Sequence, residues 1–210
     1  MATKLTYQQL LTCGCTCIAQ KVLSGMKPYE VASTSKIPVP HKPILYRWWF
    51  PEDSKVLDVL REYNQTESVN LLDQVETRVI DNKRDGKIDN KIDNKIESKT
   101  YYALYFGKSS NGYRRYCQHT TGNIHLSTLR QTLYGLCVGQ QYDIAKEQDV
   151  SNILKDCYFE WLNLDKEGEL VECIESICIA LGHYPLNLDG NPAISDQWRK
   201  YVMEKRKIAQ

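Results

Sequence analysis

The chain has 210 residues, 42% hydrophobic and 25% charged, which suits one globular domain with extensions and leaves too little length for a second full domain. Its formal net charge is only +1, so bulk charge does not argue for a nucleic-acid partner, and any such partner must be read from where the charges fall. No apolar run approaches the ~20 residues of a membrane span and the N-terminus lacks the basic-then-apolar order of a secretion signal, so a cytoplasmic protein is expected.

Residues 5–25 read as a helix, with Leu10, Leu11, Ile18, Val22 and Leu23 recurring at helical intervals. The cluster Cys13-Gly-Cys-Thr-Cys17 inside it has alternate spacing that does not match the Cys-x-x-Cys pairs of zinc sites, and it reads as part of a half-buried helix that braces the core or contacts nucleic acid. Cys137, Cys157, Cys173 and Cys178 sit in apolar, helix-like surroundings and read as reduced core thiols. Ser33 to Lys42, with Pro38 and Pro40, is an extended connector, so residues 1–40 make an N-terminal helix and arm and residues 41–207 the domain proper. Residues 43–50 are apolar and aromatic enough for a strand, and Lys55–Glu62 suits a short helix. From Arg78 to Lys99 the chain turns polar and repetitive, with Lys-Ile-Asp-Asn twice and then Lys-Ile-Glu-Ser. That composition predicts a solvated insertion at about 76–99, with a helix stacking Ile88, Ile92 and Ile96 as the weaker alternative.

Thr100–Phe106 reads as the next strand and Gly107–Gly112 as a turn that delivers a helix. Ser127 is a good N-cap for the helix that follows it, and residues 153–162 are expected to form a third strand. Glu167–Leu181 predicts a helix with the stripe Leu170, Ile174, Ile177 and Leu181, stopped by Gly182. Ser195 caps a last helix through Trp198 and Tyr201. Three strands interleaved with helices give an α/β (α+β) class.

The charge is unevenly spread. From Ser98 to Tyr142 there is no Asp or Glu, while Lys99, Lys108, Arg114, Arg115 and Arg130 fall there; a second basic cluster closes the chain at Arg199, Lys200, Lys205, Arg206 and Lys207. Two cationic segments bracketing a candidate site suit a phosphate backbone. Between and beside them stand Tyr105-Phe106-Gly107-Lys108, Arg115, His119, Glu175 and Asn187. Metal-assisted phosphodiester hydrolysis needs a polarised water, a cation facing the phosphate, a carboxylate for a divalent metal and a proton acceptor or donor, and this set supplies one of each. Arg115 and His119 are four apart, so on a helix they share a face and Arg114 does not. Taken singly each residue has an ordinary structural use, such as a core tyrosine, an exposed helix charge or a turn asparagine; their shared order carries the reading.

That order resembles the GIY-YIG nuclease superfamily. Tyr105-Phe106-Gly107 looks like the YIG motif, Arg115 and His119 match the arginine and histidine of the family's first helix, and Glu175 through Pro185 to Asn187 resembles its metal-binding glutamate and Pro-x-Asn turn. Ile44-Leu45-Tyr46 stands for the GIY motif with only the tyrosine kept, and the long separation of Tyr46 from Tyr105 is similar to restriction-enzyme members with an insertion there. The resemblance implies a small three-stranded mixed sheet flanked by helices, Tyr46 and Tyr105 on neighbouring strands, and hydrolysis of double-stranded DNA with one Mg²⁺ (or Mn²⁺) held by Glu175. By the same analogy Tyr105 or Tyr46 activates or orients the water, with His119 or neighbouring cations easing the phenol proton, and Arg115 stabilises the phosphorane. Lys108, Arg114 and Arg130 are candidate substrate contacts, and Gly107 and Asn187 support the site. The expected role is type II restriction, with a homodimer expected from the symmetry of cutting both strands; a repair or structure-specific nuclease and an inactive nucleic-acid-binding module on the same scaffold are the alternatives.

Overall fold

The run Ile44-Leu-Tyr-Arg-Trp-Trp-Phe-Pro51 has no polar face to turn to water, and all eight residues are buried as the central strand β2 (Ile44–Pro51). The computed structural model describes residues 15–30, 38–82, 97–139, 141–164 and 169–210. Around β2 lie β1 (Lys27–Glu30), β3 (Thr77–Asn82), β4 (Glu97–Ser109) and β5 (Tyr158–Asn163), in the order β1-β5-β2-β4-β3, with each pairing antiparallel. The helices are α1 (Cys15–Gly25), α2 (Lys55–Glu67), α3 (Gly112–Thr120), α4 (Thr128–Cys137), α5 (Glu147–Lys155), α6 (Glu169–Gly182) and α7 (Asp196–Lys207).

Strand alternation sorts β2 between two cores. Ile44, Tyr46, Trp48 and Phe50 pack with α2, α4, α5 and α7 on one side, in a cluster that includes Leu57, Leu133, Leu154 and Trp198. Leu45 and Trp49 pack on the other side against α1 and α6, through Val22, Ile174 and Cys178. Trp48, Trp49 and Trp198 are fully buried, each worth about 1.5–3 kcal/mol by removal from water. Side-chain caps start the helices as their sequences imply: Ser54, Asn111, Ser127 and Ser195 accept the backbone N–H of Leu57, Arg114, Arg130 and Trp198.

The α+β layout, with a sheet flanked by helices, agrees with expectation, and three differences have physical causes. Five strands are described rather than three, and the sheet is antiparallel rather than mixed. The two extra strands are edges: β1 is too short for a period, and β3 pairs its backbone with Glu97–Tyr102 although composition assigns it to the polar insertion. Residues 153–162 divide into the end of α5 and the strand β5, because Val150 and Leu154 bury one face of a helical turn before Cys157. In α6 the buried positions are Ile174, Cys178 and Ile179, while Leu181 is exposed; the helix ends at Gly182, but His183 takes the left-handed conformation (φ 50°). Cys157 and Cys178 are buried thiols, whereas Cys173 is exposed. Cys13, the first ten residues of the expected N-terminal helix (5–14) and the tetrads over 83–96, with Ile88, Ile92 and Ile96, lie outside the described residues.

One irregularity positions the site. Trp48 pairs with Tyr105 but Trp49 pairs with Ala103, so Leu104 is an extra residue on β4. Tyr101 and Ala103 face the α1/α6 core, and simple alternation would send Tyr105 there too. The bulge resets the phase and turns Tyr105 to the face that carries Tyr46 and Trp48. The bulged carbonyl is not left unpaired, because the Leu186 N–H donates to Leu104 O at 3.0 Å.

Candidate active site

Tyr46 projects from β2 opposite Gly107, and a Cβ at Gly107 would stand 2.6 Å from the Tyr46 hydroxyl oxygen, so only glycine leaves room for the phenol. The hydroxyl meets His119 Nε2 at 2.9 Å, and His119 Nδ1 meets Ser127 Oγ at 2.7 Å. Ser127 is also the N-cap of α4, so one side chain starts that helix and anchors the imidazole. The Tyr105 ring lies 6.3 Å from Tyr46 and 6.0 Å from His119, centre to centre. Trp48 presents its edge to His119 at 5.8 Å and closes the floor.

Arg115 stands one turn before His119 on α3, and its Nε is buried without a hydrogen-bond partner. Its charge reaches Tyr46, Tyr105, His119 and Glu175 alike. Glu175, on α6, is largely buried, its side chain 21% exposed, with Lys108 Nζ 3.8 Å away. Lys108 is itself held by Glu172 at 2.7 Å. A cleft of about 540 Å³ opens here between Pro43, Lys108, Ser109, Arg115 and Glu172.

Burial sets the protonation states. It holds His119 well below the usual histidine range, reinforced by Arg115 and Arg130, so the imidazole is neutral. It pushes the Tyr46 phenol well above its ordinary value, with Tyr105 and Glu175 adding to the effect and Arg115 opposing it. Tyr105 is raised by burial against the pull of Arg115 and Arg206. The Glu175 carboxyl is also raised by burial, with Lys108 and Arg115 opposing.

Asn187 supports this arrangement from outside the sheet. Its Oδ1 accepts the Phe106 N–H and its Nδ2 donates to Phe106 O, both at 2.8 Å, so it continues the edge of β4 beyond the end of β3 and fixes the strand between Tyr105 and Gly107. Arg114 is exposed on α3, pointing away from Arg115 as the helical spacing requires. Arg130 is not a surface cation: it is 1% exposed and donates to the carbonyls of His119 and Glu147 and to Ser151 Oγ. Its geometry corrects the expectation of a substrate contact, since the side chain is buried and both terminal nitrogens are taken up in fastening α3 and α5 to α4, with only Nε left without a partner.

The model of one family, the GIY-YIG catalytic domain, matches residues 44–208. The chain belongs to this family. As a GIY-YIG nuclease it is a phosphodiester-hydrolysing endonuclease. No curated protein and no solved structure matches it significantly. The match opens at the strand that carries Tyr46 and closes just after α7, so the last helix belongs to the GIY-YIG domain. Among the described residues no helix is long and apolar enough to cross a membrane.

Three contributors to the GIY-YIG site escape a reading of the sequence. Ser127 is legible as a cap but not as the partner of His119, because the two meet only when α3 folds back on α4. The Leu104 bulge leaves no residue signature. Arg206 approaches Tyr105 from α7, and its only sequence signal is an arginine in a helical stripe otherwise made of Trp198, Val202 and Ala209.

Proposed function

We propose that this GIY-YIG protein is a divalent-metal-dependent endonuclease of double-stranded DNA, of the type II restriction kind. The observation that carries the reading is the Arg115 guanidinium, buried at Nε without a partner and in electrostatic range of both tyrosines, the histidine and the glutamate. A half-buried cation that lines the cleft and has an unused donor favours an anionic ligand, and a phosphodiester oxygen suits a guanidinium in charge and shape.

Glu175 fits a hard divalent cation. Its carboxylate is mostly removed from water beside Lys108, which lines the cleft together with Arg115, and among the described residues no cluster of three or more ligating side chains forms a complete protein cage. Glu175 would be the carboxylate that holds such an ion, and an ion that keeps most of its shell for water and phosphate oxygens suits Mg²⁺ or Mn²⁺. When bound it supplies Lewis-acid polarisation of a phosphate oxygen.

The chain's own groups divide the remaining work. We assign the His119 proton to Nδ1, donated to Ser127 Oγ, which leaves Nε2 to accept the Tyr46 hydroxyl proton. With that proton directed inward, the Tyr46 oxygen has lone pairs free to orient the attacking water. Before a phosphate binds, the phenol keeps its proton, since burial disfavours both phenolate and imidazolium. A phosphate beside Arg115 offsets the guanidinium charge that depresses His119, and the imidazole then becomes a better acceptor as the water loses its proton to Tyr46. Arg115 stabilises the charge that builds on the phosphorane. Lys108 and Arg114 are the proposed outer phosphate contacts. Cutting both strands at one site calls for two copies, which gel filtration tests.

The deciding experiment incubates the purified protein with unmethylated plasmid and phage DNA in Mg²⁺ or Mn²⁺, beside EDTA and a Glu175→Ala control. Discrete fragments that vanish in both controls are expected. A metal-dependent smear would remove the restriction role, and no cleavage of any DNA form would remove the DNA-nuclease reading altogether.

A further inference from the structure

The C-terminal basic cluster does not act as one surface. Arg199 donates to the carbonyls of Leu188 and Asn191, Lys207 pairs with Glu204 at 2.6 Å, and Lys205 lies over the Tyr201 ring. Arg206 differs. Trp198, Val202 and Arg206 are four apart on one face of α7, and the first two are fully buried, so Arg206 occupies the inward position one turn further on. An arginine there needs a polar partner or an anion.

Local packing fixes its direction. Gly135 on α4 lies against the Lys205 backbone so closely that a Cβ would overlap the Lys205 carbonyl, which draws the end of α7 onto α4. Arg206 Nε then donates to Thr132 Oγ1 at 2.7 Å. That bond holds one side of the guanidinium, while among the described residues no hydrogen bond engages its terminal nitrogens. The groups whose charge reaches it are Tyr105 and Asp189. Tyr105 therefore lies within electrostatic range of two guanidinia, Arg115 on α3 and Arg206 on α7, and it packs against the same core cluster as Trp198 and Val202 of α7.

We propose that Arg206 is a second phosphate-binding guanidinium of this site, taking a non-bridging oxygen of the nucleic-acid backbone on the Tyr105 side through its free terminal nitrogens. The inference rests on the DNA-cleavage reading and extends the substrate track from α3 to α7. A planar fork held at Nε is preorganised for such a contact, which a flexible lysine is not.

The test measures dissociation constants of the full chain for a duplex oligonucleotide in EDTA across a salt series, for wild type, Arg206→Met and Arg206→Lys. Loss of one phosphate contact lowers the log–log salt slope by about 0.9 and weakens binding by about ten- to hundredfold, uniformly across sequences. Arg206→Lys, which keeps the charge, retains the slope. Thermal midpoints of the three proteins are read alongside. An unchanged slope and affinity in Arg206→Met, with only a lower midpoint, overturns the inference and leaves Arg206 as a fastener of α7 to Thr132. Wild type that binds no duplex DNA at any salt overturns the DNA reading itself, and the inference with it.

Discussion

Tyr46 and Arg47 are neighbours on β2 and face opposite cores, and both are buried polar groups in very different company. On the α1/α6 side, Arg47 bonds to Glu160 and Glu76, Arg78 reaches Glu160 at 3.2 Å, and both guanidinia lie over the Trp49 ring, at 4.5 and 4.6 Å from its centre. Burial alone would lower the Arg47 guanidinium, but Glu160, Tyr184 and Glu76 together more than reverse this, so the guanidinium stays charged. On the site side, Arg115 Nε has no partner, and Glu175 has the Lys108 backbone and the Lys108 ammonium at 3.8 Å. The same strand thus separates charges that the protein satisfies internally from charges it leaves for a ligand. Burial of a charge therefore does not identify a function; the state of its partner does.

The closed face is where the largest loss of stability is expected. Glu160→Gln leaves a buried guanidinium that cannot shed its proton with only the half-exposed Glu76 as counter-charge, and should lower the unfolding free energy in urea by about 3 kcal/mol. Arg47→Met should cost less, because Glu160, already drawn upward by burial, can take up a proton and keeps Arg78 beside it. Equal losses from the two substitutions would mean that the network is not the cause. Activity per folded molecule should hardly change in either.

On the open face the expected effects reverse. Arg115→Ala should lower kcat by about 10²–10³, the usual consequence of removing one preorganised donor to a developing oxyanion, while the urea midpoint holds or rises because an unpartnered buried donor is gone. His119 supplies a second readout. With Arg115 removed, one of the charges that depress the imidazole is lost, and its NMR titration should move upward toward the ordinary histidine range. A loss of activity accompanied by unfolding, with no movement of His119, would show that Arg115 is structural.

How much of this was legible follows from the distance over which each feature is specified. Caps at Ser127 and Ser195 are written within a turn of the residue they serve, and the structure agrees with both. The order Tyr105, Arg115, His119, Glu175, Asn187 predicts a site; in the fold Tyr105 and His119 stand beside Tyr46, Arg115 and Glu175 are in electrostatic range of it, and Asn187 holds the Phe106 backbone. The phase of Tyr105 was not legible, because one extra residue in β4 inverts every face assignment beyond it without altering composition. Arg130 misleads for a related reason: in sequence it is one more cation in a basic stretch, and only the folded carbonyls of His119 and Glu147 show where its donors go. Edge strands such as β3 are equally hidden, since a polar segment can pair its backbone while its side chains face water.

The smallest effect sharpens the comparison most, because it asks whether the open face costs stability when no ligand is present. The Glu175 carboxyl is raised by burial, so the folded protein holds its proton more tightly than the unfolded chain does. For a group raised in this way, the contribution to stability is fully present below the unfolded value, near 4.3 for glutamate, and is lost as pH rises through the folded value. In EDTA near neutral pH the ionised carboxylate therefore weighs against the fold. Glu175→Gln, which is neutral at every pH, should then be slightly more stable than wild type above pH ~6, with the gap closing as pH falls toward ~4, below which wild type is neutral too. Added Mg²⁺ should stabilise wild type and leave the glutamine variant unmoved, since a ligand that binds only the folded state raises its stability. A constant difference between the two proteins at all pH values would assign the effect to packing rather than charge. An equal response of both to Mg²⁺ would remove Glu175 as the residue that holds the ion.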